Sequence, residues 1–214
     1  MNLKSKLDEV WFQGASLGVV GLVVTVVLAI VYDLTKDAIA AAAERDTQQS
    51  LEQVLPAGFA DNNLLKDSIQ LKGPEGAPLT VYRARKAGQI KAALFQMTGK
   101  GYGGAVTLVM AVDSEGKVLG VRITHHNETP GLGDKIEEAK TSWIHSFEGK
   151  SLEQPGPAHW AVKKDGGDFD QFAGATITPR GVVATVKKGL DYFAAHKPEL
   201  VGDVVAMTEH GESK

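Results

Sequence analysis

The amino-acid sequence predicts an α+β protein: a single N-terminal transmembrane helix and stalk, followed by a mainly antiparallel sheet with flanking helices. Three observations carry this reading. Residues 10–32 contain no charged side chain. Four strand-like runs between residues 79 and 124 fall into two pairs, each joined by a short turn, and residues 179–195 repeat apolar side chains at helical spacing. Hairpins with helices segregated from them are the α+β pattern.

The apolar run 10–32 is dominated by Val, Leu, Ile, Ala and Gly. As a helix it covers about 35 Å, enough to cross the hydrocarbon core with some tilt. Trp11 and Phe12 at one end and Tyr32 at the other suit the two membrane interfaces. A cleaved signal peptide is the rival reading, with Ala40 to Ala43 imitating a cleavage site. The apolar run is too long for that, and Asp33, Lys36 and Asp37 separate it from those alanines. Lys4, Lys6 and the amino terminus place the tail 1–9 in the cytoplasm and everything after the span outside it.

Residues 33–55 are rich in Ala, Glu and Gln and free of Gly and Pro, which predicts a stalk helix that ends at Pro56-Ala57-Gly58. The remaining chain reads as one extracytoplasmic domain over 56–206 and a flexible tail over 207–214. Residues 72–78 are loop by composition. Strands are expected over 79–85 and 89–98, around Lys86-Ala87-Gly88, and over 106–112 and 117–124, around Asp113-Ser114-Glu115-Gly116. In the last of these, Leu119, Val121 and Ile123 alternate with Val118, Gly120, Arg122 and Thr124. A shorter strand is expected over 159–163 and a helix from Lys135 into 143–147. A second helix is expected over 179–195, with Val182, Val183, Val186, Leu190 and Phe193 on one face.

Composition removes several function classes. The chain has no cysteine, which excludes disulfides, thiol catalysis and cysteine-bound iron–sulfur clusters on it. A net charge of −3 without a basic cluster offers nothing to nucleic acid. The six histidines show no metal-ligand spacing, and adjacent His125 and His126 on a strand would point to opposite faces. No Ser/His/Asp arrangement or assignable acid pair is evident, so neither a metal site nor a catalytic residue is expected.

Three segments carry chemistry. Asp170-Gln171-Phe172-Ala173-Gly174-Ala175-Thr176 precedes a helix start, with Thr178 reading as the N-cap and Pro179 as the first helical residue. Gly174 and Ala175 are small enough for a bulky group to approach the backbone. A phosphate on the Thr176 hydroxyl would lie near free N–H groups at the helix N-terminus. On the residues alone the segment reads first as a capped small-residue turn and only second as a modified site. Lys100-Gly101-Tyr102-Gly103-Gly104 is neither a Walker A motif nor a dinucleotide fingerprint. It reads as a flexible turn, or as a close backbone approach that leaves room for a flat ring beside Tyr102. Glu128-Thr129-Pro130-Gly131-Leu132-Gly133-Asp134 offers backbone amides, a hydroxyl and an apolar side chain in a tight bend, with Asp134 as a possible N-cap. Lys163 offers a cation to a bound anionic group; the bland alternative is a solvated surface residue.

In order along the chain, the GYGG turn, the E-T-P-G-L-G loop and the D-x-x-A-G-A-T segment resemble the G subunit of the Rnf ion-translocating electron-transport complex, an FMN-binding domain family. The attachment signature of that family is D-x-x-[S/T]-G-A-T, shared with the C subunit of the sodium-pumping quinone reductase; Ala173 departs from it. The resemblance implies FMN joined through its phosphate to Thr176 by a flavin transferase, with Asp170 part of what the transferase recognises. It implies cofactor contacts from Tyr102, Gly103, Glu128, Thr129, Gly131, Leu132, Lys163, Gly174, Ala175 and Thr178. It further implies an electron-carrier subunit of a redox-driven translocase, without independent catalytic activity, in a bacterial inner membrane. Its domain would be periplasmic and its partners the other membrane subunits of the complex and the lipid. Two alternatives stand beside this: the C-type quinone reductase subunit, and a membrane-tethered flavin-fold scaffold without covalent cofactor.

Overall fold

A computed structural model describes the backbone of residues 3–202 and the side chains from Trp11 onward. The expected tail at 207–214 lies outside the described residues, as do the side chains of Lys4 and Lys6. The chain divides into two compact units, Met1–Thr47 and Gln48–Lys214.

Helix α1, Leu3–Gln53, is one uninterrupted element through the expected span and stalk. Within the first unit, its Val, Leu and Ile side chains between Leu17 and Val31 stay exposed on every side. Thr25 donates its hydroxyl hydrogen to the Gly21 carbonyl and Ser16 to that of Gln13, so these polar groups are satisfied inside the helix. A helix apolar all round with its hydroxyls internally bonded suits lipid, and this one is long and apolar enough to cross a membrane.

The second unit is built on a five-stranded antiparallel sheet in the order β1-β2-β3-β4-β5. The strands are β1 (Ser68–Lys72), β2 (Pro78–Lys86), β3 (Gln89–Lys100), β4 (Ala105–Asp113) and β5 (Val118–His125). Helix α2, Ile177–Val201, covers one face, burying Val182, Val183, Val186, Leu190 and Phe193 in a core with Phe95, Met97, Leu108, Met110 and Val121. Each such side chain contributes about 1.5–3 kcal/mol of burial free energy. On the other face Leu51, Val54 and Leu64 bury Ala84, Ala92, Leu94, Val109 and Ala111. The middle strands are thus covered on both sides, which is why β3 and β4 carry apolar runs where a half-exposed strand would alternate.

Both expected hairpins are present, and β1 is an addition. Its Ser68-Ile69-Gln70-Leu71-Lys72 sequence alternates, but over only five residues. Two expectations are corrected. The helix from Lys135 through 147 is instead two short 3-10 turns, Gly133–Ile136 and Ser142–Phe147. Thr141 separates them, donating its hydroxyl to the Lys135 carbonyl and accepting from the Trp143 N–H. The apolar residues that imitated helical spacing, Ile136, Trp143, Ile144 and Phe147, are buried from these turns. Nor is 159–163 a strand. It lies between 3-10 turns at Pro157–His159 and Lys163–Asp165, with a single bridge from Val162 to Phe169. Its Trp160/Val162 alternation reflects packing into the aromatic cluster with Phe147 and Phe169. Helix α2 begins before and ends beyond the expected 179–195, with a kink at His196 ahead of Pro198.

The segment before β1 is pinned by Asp67, which binds Arg85 Nε at 2.5 Å and an Arg83 Nη at 2.6 Å. Burial pushes this carboxyl up, but the hydrogen bonds and charges of Arg85 and Arg83 outweigh it and hold its pKa below the ordinary value. A depressed folded-state pKa gives stability that is complete above the unfolded value of about 3.9 and is lost as pH falls through the folded value. Asp67→Asn is therefore expected to be less stable than wild type at pH 7, with the gap closing on acidification below about pH 4, in denaturant titrations across pH. Leu51→Ala, which empties the α1 end of the second core, is expected to cost about 2–5 kcal/mol in the same unfolding measurement.

Candidate functional site

The β3–β4 loop, the turn that follows β5 and the start of α2 meet at one end of the sheet. Between them lies a cavity of about 240 Å³, lined by Tyr102, Glu128, Thr129, Leu132, Gly133, Gly174, Ala175, Thr176, Ile177 and Thr178. Each wall is a tight turn. The Gly101 N–H donates to the Gly104 carbonyl, the Leu132 N–H to that of Thr129, and the Ala175 N–H to that of Phe172. Trp143 fixes the approach to Thr176, donating its indole N–H to the Asp170 carbonyl at 2.8 Å and meeting the Phe172 ring edge-on.

Glu128 ties the walls together. It is 6% exposed. One carboxylate oxygen accepts from the Gly103 N–H at 3.0 Å and the other from the Thr178 hydroxyl. A buried carboxylate needs such partners, because desolvation without them costs several kcal/mol. Two glycines make room for it: a Cβ on Gly101 would lie 2.2 Å from Oε1, and one on Gly133 would lie 2.4 Å from Oε2. The Glu128 N–H donates to His126 Nδ1 at 3.0 Å, and Nε2 lies 3.0 Å from Glu137 Oε1. The glycines thus admit a carboxylate from within the protein.

Thr176 is the N-cap of α2, in αR backbone geometry, partly exposed and with no side-chain capping bond. Thr178 is not the cap: it sits inside the helix, fully buried, with its hydroxyl committed to Glu128. Pro179 is accordingly the third helical residue, still within the turn whose N–H groups have no intrahelical acceptor. Asp134 likewise does not cap its turn, where Leu132 holds that position; Asp134 is buried beside it. The Gly131 N–H, with Lys140 adding to it, holds the Asp134 carboxyl below its ordinary range.

Of the residues singled out in the sequence, Tyr102, Glu128, Thr129, Leu132, Gly174, Ala175, Thr176 and Thr178 come together on the cavity. Gly103 stands behind them through its bond to Glu128, and Gly131 shapes the turn with φ +79°. Lys163 and Asp170 are not on the lining; they pair with each other at 2.6 Å with both side chains exposed. Gly133 and Ile177 complete the lining without having been singled out: Gly133 lies inside the 128–134 loop and Ile177 directly follows Thr176. Tyr102, Leu132 and Ile177 are the exposed large apolar side chains found outside α1 among the described residues. Nothing in the residues alone marked Ile177; its exposure beside Tyr102 and Leu132 on the cavity does so in the fold.

Thr178→Val leaves the second Glu128 oxygen buried without a partner. It is expected to destabilise the domain by about 1–3 kcal/mol, whereas Thr178→Ser should stay near wild type, both read from denaturant midpoints.

The FMN-binding domain family matches residues 101–191, which include every cavity-lining residue, and the RnfG N-terminal region matches residues 1–54. The chain is 48% identical over 189 residues to the G subunit of the ion-translocating oxidoreductase complex of Cereibacter sphaeroides, covering 88% of this chain and 86% of that protein. It is 46% identical over 187 residues to the protein of the same name from Stutzerimonas stutzeri, with 87% and 82% covered. Among solved structures, NqrC of Shewanella oneidensis aligns with a TM-score of 0.49 at 24% identity, over 67% of this chain and 72% of that one. On the identity and coverage of these relatives, the protein belongs to the family of G subunits of Rnf-type ion-translocating oxidoreductase complexes.

Proposed function

We propose that this chain is the electron-carrying G subunit of its complex and holds FMN through a phosphoester to Thr176. The observation that carries the reading is the contrast between two neighbouring threonines. The Thr176 side chain lines the cavity without a capping bond, whereas the Thr178 hydroxyl is buried and bound to Glu128. Only the first is available to a transferase. On modification its oxygen gives up a proton and bonds to the phosphorus of FMN supplied as an activated phosphoanhydride, whose P–O anhydride bond breaks to release the other phosphate half. The new ester lies at the N-terminus of a 25-residue helix where N–H groups favour an anion.

The cavity fits part of such a group. At about 240 Å³ it is smaller than the roughly 300–1,000 Å³ that encloses a drug-sized ligand. Leu132, Ile177 and Tyr102 offer apolar surface to the flat ring, and Gly174 and Ala175 let the ester linkage pass close to the backbone. Glu128 fixes the loops that bear Tyr102 and Leu132, while Thr129 and Gly131 close the turn between them. Bound FMN supplies one- and two-electron redox chemistry, and the protein supplies position and surroundings. Covalent attachment answers a mass-action limit: a micromolar complex is held by only about 8 kcal/mol and empties where free ligand is scarce.

In this reading α1 anchors the chain in a bacterial inner membrane with its amino terminus in the cytoplasm and the second unit in the periplasm. The partners are lipid, the other subunits of the complex and, during maturation, a flavin transferase that recognises the exposed Asp170. The chain has no catalytic activity of its own. Intact mass of the protein co-produced with a flavin transferase tests the proposal. Wild type is expected to gain the mass of FMN less one water, Thr176→Ala to gain nothing, and Thr178→Ser to be modified like wild type. An added mass retained in Thr176→Ala would refute the assignment.

A further inference from the structure

The second turn of α2 carries a cation one helical turn from the attachment residue. Arg180 follows Thr176 by four positions, and its N–H donates to the Thr176 carbonyl at 3.3 Å. Because Thr176 is itself in αR geometry, at φ −75° and ψ −25°, the helical path already includes it. Its side chain and that of Arg180 therefore lie one above the other on one face, with about 5–6 Å between Cβ atoms. The Arg180 guanidinium is held by a carboxylate: Nε lies 2.5 Å from Asp165 Oδ2 and Nη2 lies 2.6 Å from Oδ1. Both side chains remain about two-fifths exposed, so neither is locked into the core. Planar, two-pronged contacts of this kind suit phosphate as well as carboxylate. Pro179 adds a reason to need one, since it removes an N–H that the helix start would otherwise offer to an anion.

We propose that Arg180 is the positioning residue for the phosphate on Thr176, and that Asp165 holds its guanidinium ready until that phosphate arrives. The inference rests on the attachment reading above. On modification the guanidinium exchanges the Asp165 carboxylate for the phosphodiester oxygens. Asp165 then turns to water, which its exposure permits at little cost. The exchange fastens the phosphate to the helix and frees the 163–165 turn.

The test compares thermal unfolding of the full-length protein in detergent, unmodified and flavin-modified, the state of each sample being set by intact mass. Asp165→Asn is expected to lower the Tm of the unmodified protein and leave that of the modified protein unchanged. Arg180→Gln is expected to lower the modified protein by about 2–4 °C more than the unmodified one. Equal shifts in both states would overturn the exchange and leave the pair as a fastener of the turn. Asp165→Asn keeps the guanidinium, so it decides the matter even if Arg180→Gln escapes modification. If wild type itself gains no FMN mass, the attachment reading fails and the exchange falls with it, an outcome distinct from equal shifts.

Discussion

The site depends on one buried carboxylate. Glu128 receives a backbone N–H from the β3–β4 loop and a hydroxyl from α2, so three segments far apart in the chain are fixed to a common point. In the low dielectric of the interior such charge-assisted bonds are strong, and a missing partner is costly. Gly101 and Gly133 follow from it, since a methyl group at either position would overlap the carboxylate. The Thr178 hydroxyl is consumed by it, and of the two neighbouring threonines at the start of α2 that leaves Thr176, on the cavity lining and without a capping bond.

The sheet supplies the frame on which this arrangement stands. Strands β3 and β4 are buried on both faces, and α2 is seated on one of them through Val182, Val183 and Val186. That seating sets where α2 begins. Gly181 passes so close to the Lys100 carbonyl that a Cβ would lie 1.8 Å from it, which brings the helix start against the β3–β4 loop. Packing along the helix thereby determines how near Thr176 comes to Tyr102. Function in this protein is thus set at the ends of elements whose middles are fixed by apolar burial.

Much of this was legible in the residues. Paired strand-like runs with Gly-containing turns gave both hairpins, the 3.6-residue period gave α2, and an uncharged 10–32 gave the apolar part of α1. The three site segments announced themselves by small residues beside single polar ones. What was hidden is what distant contacts decide. A loop glutamate reads as a surface group until a glycine from another loop clears space for it. The sequence reads Thr178 as the cap, but Glu128, fifty residues away, takes its hydroxyl, and Thr176 holds the cap position. The 3-10 turns around Trp143 share their spacing with an α-helix, and the turn at 137–141 with the hydroxyl of Thr141 separates the two. Arg180 carried no signal, because its partner Asp165 lies fifteen residues upstream.

The most direct test of Glu128 as the organising group is amide hydrogen exchange at Gly103, whose N–H donates to its carboxylate. In Glu128→Ala the Gly103 amide is expected to exchange about 10-fold faster or more, as follows from losing a bond to a charged group. The amides of β3 and β4 should keep their protection. Unchanged exchange at Gly103 in that variant would show that the loops hold their places without the carboxylate, contradicting the account.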